Sequence, residues 1–426
     1  YICNFKLSAL TMKMKNKYSG FIWLVFLMCA LATGLSFLDR QVLSISIIEI
    51  KGELNINDTD YGLINTSFLV GYAIMFTLGG ILIDRFGSRK GLALSVALWS
   101  VATFMHGFAD NFYEFALFRF ILGVGEGGAF PGVIKAVVEW VPKKNRALAN
   151  GLAIGGSAFG AVVAPPLTVS LMDSVGWRGV FFIVGGIGIL WTLIWLFFPQ
   201  AKSENNHLNK ELSNNRSDVP PLRKQLLGLL KSKEAGTFIL IRFLLDPIIY
   251  FYMFWIPKFL NETKGVSLEI IGNLFWIPYL ALGVSNIFGG FVSDIVLKKT
   301  GDVNLSRKAV MGFAALLTAS AIFVRYTDSV GVIILLLSSA FFAHGLWITN
   351  YITSIGDMFG KNSSSTVVGL SGTAGALSSL IVNPFMGVII YRFSYNPLWI
   401  YAGVMYSVAF IIFTLAIPRI KSISNS

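Results

Sequence analysis

GILIDRFGSRK, residues 80–90, ends one apolar run of membrane length and begins the next, and GFVSDIVLKK, residues 290–299, does the same 210 positions later. In both, a glycine sits four residues before an aspartate (Asp84, Asp294) and a basic cluster follows. A second echo strengthens the first. GLAIGG from Gly151, with Pro165 after it, matches GLSGTAG from Gly369, with Pro384 after it, at an offset of 218. Both offsets are about half of the 426-residue chain, so the halves repeat each other in parallel.

Working outward, the chain is 55% hydrophobic and only 13% charged, about half the charge of an ordinary soluble domain. Apolar runs of ~20 residues are the length a helix needs to cross ~30 Å of hydrocarbon. Hydropathy places twelve of them, at 21–48, 61–84, 91–110, 112–141, 147–172, 179–199, 237–260, 269–296, 309–327, 331–357, 366–391 and 397–417. The fold class is therefore an all-α polytopic membrane protein. A polar, Asn- and Ser-rich stretch at 200–236 reads as a cytoplasmic linker. It separates a bundle at 21–199 from one at 237–417, flanked by tails at 1–20 and 418–426. The first tail is expected to lack fixed structure.

Charge distribution gives the orientation. With both termini inside, 24 of the 34 Lys and Arg fall in cytoplasmic segments, six lie at outer ends and four in spans. That asymmetry is the positive-inside pattern, with the basic loops facing an anionic cytoplasmic leaflet, and it explains the net charge of +12 without nucleic acid. Lys13, Lys15 and Lys17 resemble a signal peptide's start, but Asp39 and Arg40 make 21–48 a span. With no Walker A sequence, two Cys and three His, the chain offers no ATPase, disulfide or metal chemistry. It reads as no enzyme and needs no cofactor.

An ionisable group inside a span costs about 2.5–3.5 kcal/mol on the lenient insertion scale and is read first as functional. Asp39, Arg40, Arg119, Glu126 and Asp246 are the main cases. Arg119 and Glu126 share a face of span 4 but stand about 10.5 Å apart along the axis, so each needs a partner elsewhere. The simplest neutral arrangement pairs Arg119 with Asp39 and Glu126 with Arg40. A proton on either acid then frees an arginine for an anion, which is the logic of symport. A permanent salt-bridge network between spans 1 and 4 is the structural alternative.

The 80–90 cluster resembles the signature loop of the major facilitator superfamily. That resemblance implies two pseudo-symmetric six-helix bundles with a substrate site between them. Within it, Asp84, Arg85, Arg89 and Asp294 are expected to form a cytoplasmic gate that stabilises the outward-open state. RFILGVGEGGAFPGVIKAVVEWVPKKNRA, from Arg119 to Ala147, is similar to the anion:cation symporter family, nearest to bacterial hexuronate transporters. FLDR ending at Arg40, DPIIYFYMFWIP from Asp246, WIPYL from Trp276, SRKAVM from Ser306, AHGLWITN from Ala343, DMF from Asp357 and VVGLSGTAGA from Val367 agree. The resemblance implies proton-coupled uptake of a sugar acid, galacturonate or glucuronate. It maps proton coupling to Asp39 and Glu126, and substrate contacts to Arg40, Tyr72 and Arg119.

Phe37 and Ser157 depart from the galactonate branch, which has Tyr and Gln there. Gly360, Lys361 and Asn362 replace the PKK of close relatives. His344, Trp347 and Asn350 recur every third residue, so they either meet sugar hydroxyls, with Trp347 stacking, or form a bundle-interior hydrogen-bond cluster. Tyr250 is the best aromatic candidate for the cavity, and Asp246 before Pro247 marks a hinge. His106 reads as an interface residue and Lys135–Glu139 as a local ion pair.

The expected partners are a small organic anion, H+ and the bilayer, with the protein as a monomer. Galactonate, tartrate or sialate transport, and a non-transporting nutrient receptor, are the alternatives. Organic-phosphate antiport is set aside because the middle of span 7, IIYFYMF from Ile248, holds no arginine.

Overall fold

The computed structural model describes residues 2–140, 146–197, 228–229 and 231–422, and these form helices without a strand. Most of the linker assigned to 200–236 lies outside them. Helix α1 is Ile2–Leu54, α2 Asp58–His106, α3 Phe112–Gly127, α4 Ala129–Trp140 and α5 Arg146–Phe197. The second half holds α6 (Lys233–Lys258), α7 (Leu268–Leu274), α8 (Trp276–Thr300), α9 (Val303–Leu317), α10 (Val330–Phe393) and α11 (Asn396–Ala416).

The backbone is helical from Ile2, so the expectation of an unstructured tail at 1–20 is corrected. No Gly or Pro occurs before Gly20 to stop the helix. Asn57 starts α2 with a capping box, its side chain accepting from the Asp60 amide at 2.9 Å while Asp60 accepts from the Asn57 amide at 3.1 Å.

Besides α1, whose 53 residues include the stretch ahead of the first span, three helices are too long to cross a bilayer once. A straight 49-residue α2 would extend about 74 Å. Each of the three carries one glycine at positive φ: Gly87 in α2, Gly176 in α5 and Gly360 in α10. A residue without Cβ takes that conformation at little cost, so the chain turns there. Span 4 shows the result, for Gly123 packs on Phe68 before the Gly87 bend and Gly125 packs on Trp99 after it. Gly360 is also where the sequence departs from PKK. Nine described stretches are long and apolar enough to cross a membrane, consistent with twelve spans once the bends divide the long helices.

Small residues set the helix spacing. A Cβ on Gly123 would lie 2.1 Å from the Phe68 carbonyl oxygen, and one on Gly71 would lie 2.3 Å from that of Phe120. Backbones this close leave no room for a methyl group. Gly123→Val should therefore lower the melting temperature in detergent, at the upper end of the about 1–3 kcal/mol range for overpacking. An unchanged thermal melt would refute the close approach.

The halves are clasped at one end by four charges. Lys51 lies 3.3 Å from Asp58 and 2.9 Å from Glu262, while Lys258 lies 2.6 Å from Asp58 and 2.5 Å from Glu262. Below them, Tyr61 donates to the Phe254 carbonyl at 2.6 Å and Ser44 to that of Met253 at 2.8 Å. Asn383 links Trp255 to the Gly62 carbonyl, at 3.1 Å each. On the charge reading this is the outer end. Lys258→Met removes two ion pairs and leaves Asp58 and Glu262 to share Lys51 alone. It should speed maleimide labelling of a cysteine introduced at Ser44, which is buried in this state. An unchanged labelling rate would mean the clasp does not hold that end shut.

Candidate functional site

Span 1 reaches the centre of the molecule as FLDR, and span 4 delivers Glu126 opposite it, just before its helix breaks at Gly128. The Arg40 Nε donates to Glu126 Oε2 at 2.6 Å, and Ser36 Oγ donates to the same oxygen at 2.9 Å. Both ionic partners are buried. The other oxygen, Oε1, has no hydrogen-bond partner among the described residues. The Arg40 guanidinium lies over three rings, 4.9 Å from Phe37, 5.2 Å from Phe68 and 4.8 Å from Tyr72. Those faces hold the cation while blocking water from most of its surface.

The second expected pair does not close. Asp39 accepts from Thr103 Oγ1 at 3.0 Å instead, a hydroxyl that span 3 brings to it. Arg119 is 1% exposed, and all three of its guanidinium nitrogens lack a hydrogen-bond partner among the described residues. Asp39, Glu126 and Tyr61 are within its electrostatic reach without touching it. A buried, unsatisfied arginine is costly and calls for a functional explanation. Ser36 and Thr103, which hold the two acids, escaped the sequence reading because hydroxyls in spans usually bond their own helix.

A cavity of about 240 Å³ opens between the halves. Phe37, Arg40 and Ser157 line it from the first half, and Arg242, Asp246, Tyr250, Tyr279, Asn286 and His344 from the second. Of the expected contacts, Arg40, Tyr250 and His344 reach it, while Tyr72 and Arg119 do not line its wall. Trp347 and Asn350, expected as sugar contacts, are set into the bundle. Trp347 packs edge-on against Tyr406 at 5.5 Å, and Asn350 donates to the carbonyls of Gly289 at 3.1 Å and Leu346 at 3.0 Å. Three-residue spacing drifts around a helix, so only the first of the three, His344, meets the cavity, and its ring also bonds Tyr406.

Arg242 alters one exclusion. It stands six residues before Ile248 and lines the cavity on the same helix, paired with Asp246 at 2.7 Å. The absence of an arginine from 248–254 therefore does not exclude a second cavity cation from span 7. The i, i+4 spacing of Arg242 and Asp246 was the available signal.

At the other end of the bundle each half binds its own charges. Ser88 donates to Glu139 through its hydroxyl at 2.5 Å and its amide at 3.3 Å, and Arg89 bonds the Leu196 carbonyl. Lys135 stands 3.8 Å from Glu139. Arg85 is exposed, and the Asp84 side chain lies outside the described ones. Arg307, missed by the sequence reading, is 3.5 Å from Asp294, 3.0 Å from Asp357 and 2.6 Å from the Ser293 hydroxyl. No ion pair among the described residues joins the halves at this end.

Comparison with known proteins agrees with this architecture. The profile of the Major Facilitator Superfamily matches residues 29–383. The probable galactarate/D-glucarate transporter GudP of Escherichia coli (strain K12) is 28% identical, covering 98% of each chain. The hexuronate transporter of Bacillus subtilis (strain 168) is 31% identical over 84% of this chain and 87% of its own. A crystal structure of a bacterial homolog of the human lysosomal transporter Spinster, inward-facing and occupied, superposes with a TM-score of 0.74 at 20% identity, covering 93% of this chain and 96% of that one.

Proposed function

We propose that this chain, which belongs to the Major Facilitator Superfamily, is a proton-coupled symporter that imports a sugar acid, a hexuronate such as glucuronate or galacturonate, by alternating access. Two findings support the coarse statement of a transporter of small organic anions in a bacterial membrane. Its relatives are named for hexuronates and for galactarate and D-glucarate. The cavity is also small, at about 240 Å³, below the roughly 300–1,000 Å³ of pockets for drug-sized ligands.

The buried Arg40–Glu126 pair carries the finer reading. Only Arg40 of the two lines the cavity, so Arg40 meets the anion and Glu126 competes for it from behind. A proton on Glu126 cancels that competition, and an anion on Arg40 in turn leaves Glu126 without its counter-ion. Proton and anion thus bind with positive coupling, equal in both directions. Arg119 and Asp39, which do not pair with each other, stand beside the first couple, where Asp39 is able to receive the displaced proton and Arg119 the anion during the cycle. Alternating access then follows from the clasp at the outer end and the separate charge clusters at the other. The protein acts as a monomer of the inner membrane, both termini cytoplasmic, with the proton gradient in place of a cofactor.

Uptake by proteoliposomes tests this. Labelled glucuronate should accumulate only under an inward proton gradient and should be released when a protonophore is added. Accumulation that follows a sodium gradient, or equilibrates without any, counts against proton symport.

A further inference from the structure

The Arg40–Glu126 couple has a counterpart across the cavity that the proposed uptake of a monoanion leaves without work. In the first half, span 1 presents an arginine whose carboxylate partner stands behind it. In the second half, span 7 presents Arg242, whose NH2 nitrogen donates to Asp246 Oδ2 at 2.7 Å. Both residues line the same 240 Å³ cavity as Arg40, and Tyr250 lies within electrostatic reach of both guanidinium groups. Each arginine keeps one buried nitrogen without a hydrogen-bond partner among the described residues, NH2 on Arg40 and Nε on Arg242. Each is therefore held by its carboxylate through part of its donor fork and can take a further acceptor.

The seat of Asp246 is built. A Cβ on Gly375 of span 11 would come within 1.8 Å of Asp246 Oδ2, so the glycine in GLSGTAG is what lets this carboxylate fit. The corresponding stretch of the first half, GLAIGG, serves span 1 in the same way: a Cβ on Gly156 would come within 2.1 Å of the Ala30 carbonyl oxygen. In both halves a glycine, Gly156 or Gly375, thus lets the later helix pack directly on the first helix of its half. The other polar cavity groups of the second half, Tyr279, Asn286 and His344, are uncharged donors or acceptors at neutral pH. Among the described residues, Arg242 is the one cation the second half adds to the cavity wall.

We propose that Arg242 is a second anion-binding group, and that the cavity takes an extended six-carbon dicarboxylate, one carboxylate on Arg40 and the other on Arg242, in preference to a monocarboxylate. This rests on the sugar-acid reading above and extends it to acids charged at both ends. Each substrate carboxylate takes the place of a protein carboxylate on its arginine. The displaced Glu126 and Asp246 each take up one proton, so the loaded cavity stays as neutral as the empty one, in which two ion pairs balance. A substrate held at both ends also bridges the two halves, so its binding draws them together at the end where no ion pair among the described residues joins them.

The test is equilibrium binding to the purified full-length protein in detergent, by titration calorimetry, with D-glucuronate, D-glucarate and glucose 6-phosphate. The wild type should bind glucarate about 10- to 100-fold more tightly than glucuronate, the value of a charge-assisted hydrogen bond to a buried group. Arg242→Gln should erase that advantage and leave glucuronate within about threefold, a difference under 0.7 kcal/mol. Asp246→Asn leaves Arg242 without its carboxylate, and should hold or tighten glucarate binding. It guards against an Arg242 variant that fails to fold. Glucose 6-phosphate carries both charges at one end and should gain nothing from Arg242. The proposal is overturned if glucuronate binds and glucarate does not, if Arg242→Gln weakens both equally, or if Asp246→Asn weakens glucarate. It is also overturned if the phosphate ester shows the Arg242-dependent advantage. Binding of none of the three overturns the sugar-acid reading itself.

Discussion

Proteoliposomes carrying Glu126→Gln are expected to accumulate no uronate under an inward proton gradient, while still exchanging labelled for unlabelled substrate across the membrane. The substitution preserves shape and leaves an oxygen to accept from Ser36 and from Arg40, the two donors that Glu126 Oε2 holds at 2.9 and 2.6 Å. What it removes is the negative charge that competes for Arg40. Arg40 is then permanently available to the anion, and binding no longer depends on a proton at this position. A gradient of one pH unit supplies about 1.4 kcal/mol per proton, or about tenfold accumulation, and the variant should fall to onefold. Its apparent affinity should also become less dependent on pH than that of the wild type. Asp39→Asn is the companion, since Asp39 carries a buried carboxylate bonded to Thr103 beside the first couple. Full gradient-driven accumulation by both variants would remove these acids from the coupling scheme.

The fold was legible where physics acts on a single helix. Apolar length marked the spans, and the spacing of Asp84 and Asp294 in two like contexts marked the duplication. Gly87 and Gly360, at positive φ, stand in stretches the sequence had already singled out. The pairing of Glu126 with Arg40 was legible too, because a buried charge demands an opposite one and span 1 offers both signs. Its counterpart was not: whether Arg119 touches Asp39 or Thr103 does so first depends on how span 3 is rotated, and no helical period encodes rotation between helices. The clasp escaped for the same reason. Lys51, Asp58, Lys258 and Glu262 look like ordinary flanking charges in sequence, and only the meeting of the halves makes them a network. Trp347 and Asn350 show the converse, since a shared stripe on a helix does not say how much of it faces a cavity.

Arg40→Gln should abolish substrate binding and destabilise the protein at once, and a second substitution separates the two effects. Arg40 is the only one of the Arg40–Glu126 couple on the cavity wall, and it is packed against Phe37, Phe68 and Tyr72. Removing its charge strands Glu126, whose carboxylate has no access to water. Breaking a buried pair from one side costs about 3–5 kcal/mol, much more than the pair contributes as a pair. The single variant should therefore lose many degrees of melting temperature in detergent. Arg40→Gln combined with Glu126→Gln removes both charges and keeps the volumes, so most of that stability should return. Binding should not return, because nothing then faces the substrate carboxylate at that end of the cavity. Stability restored without glucuronate binding identifies Arg40 as the anion's own contact. A double variant that binds glucuronate as tightly as the wild type would make Arg40 a structural cation and move the anion site to Arg242, the other cation on the cavity wall among the described residues.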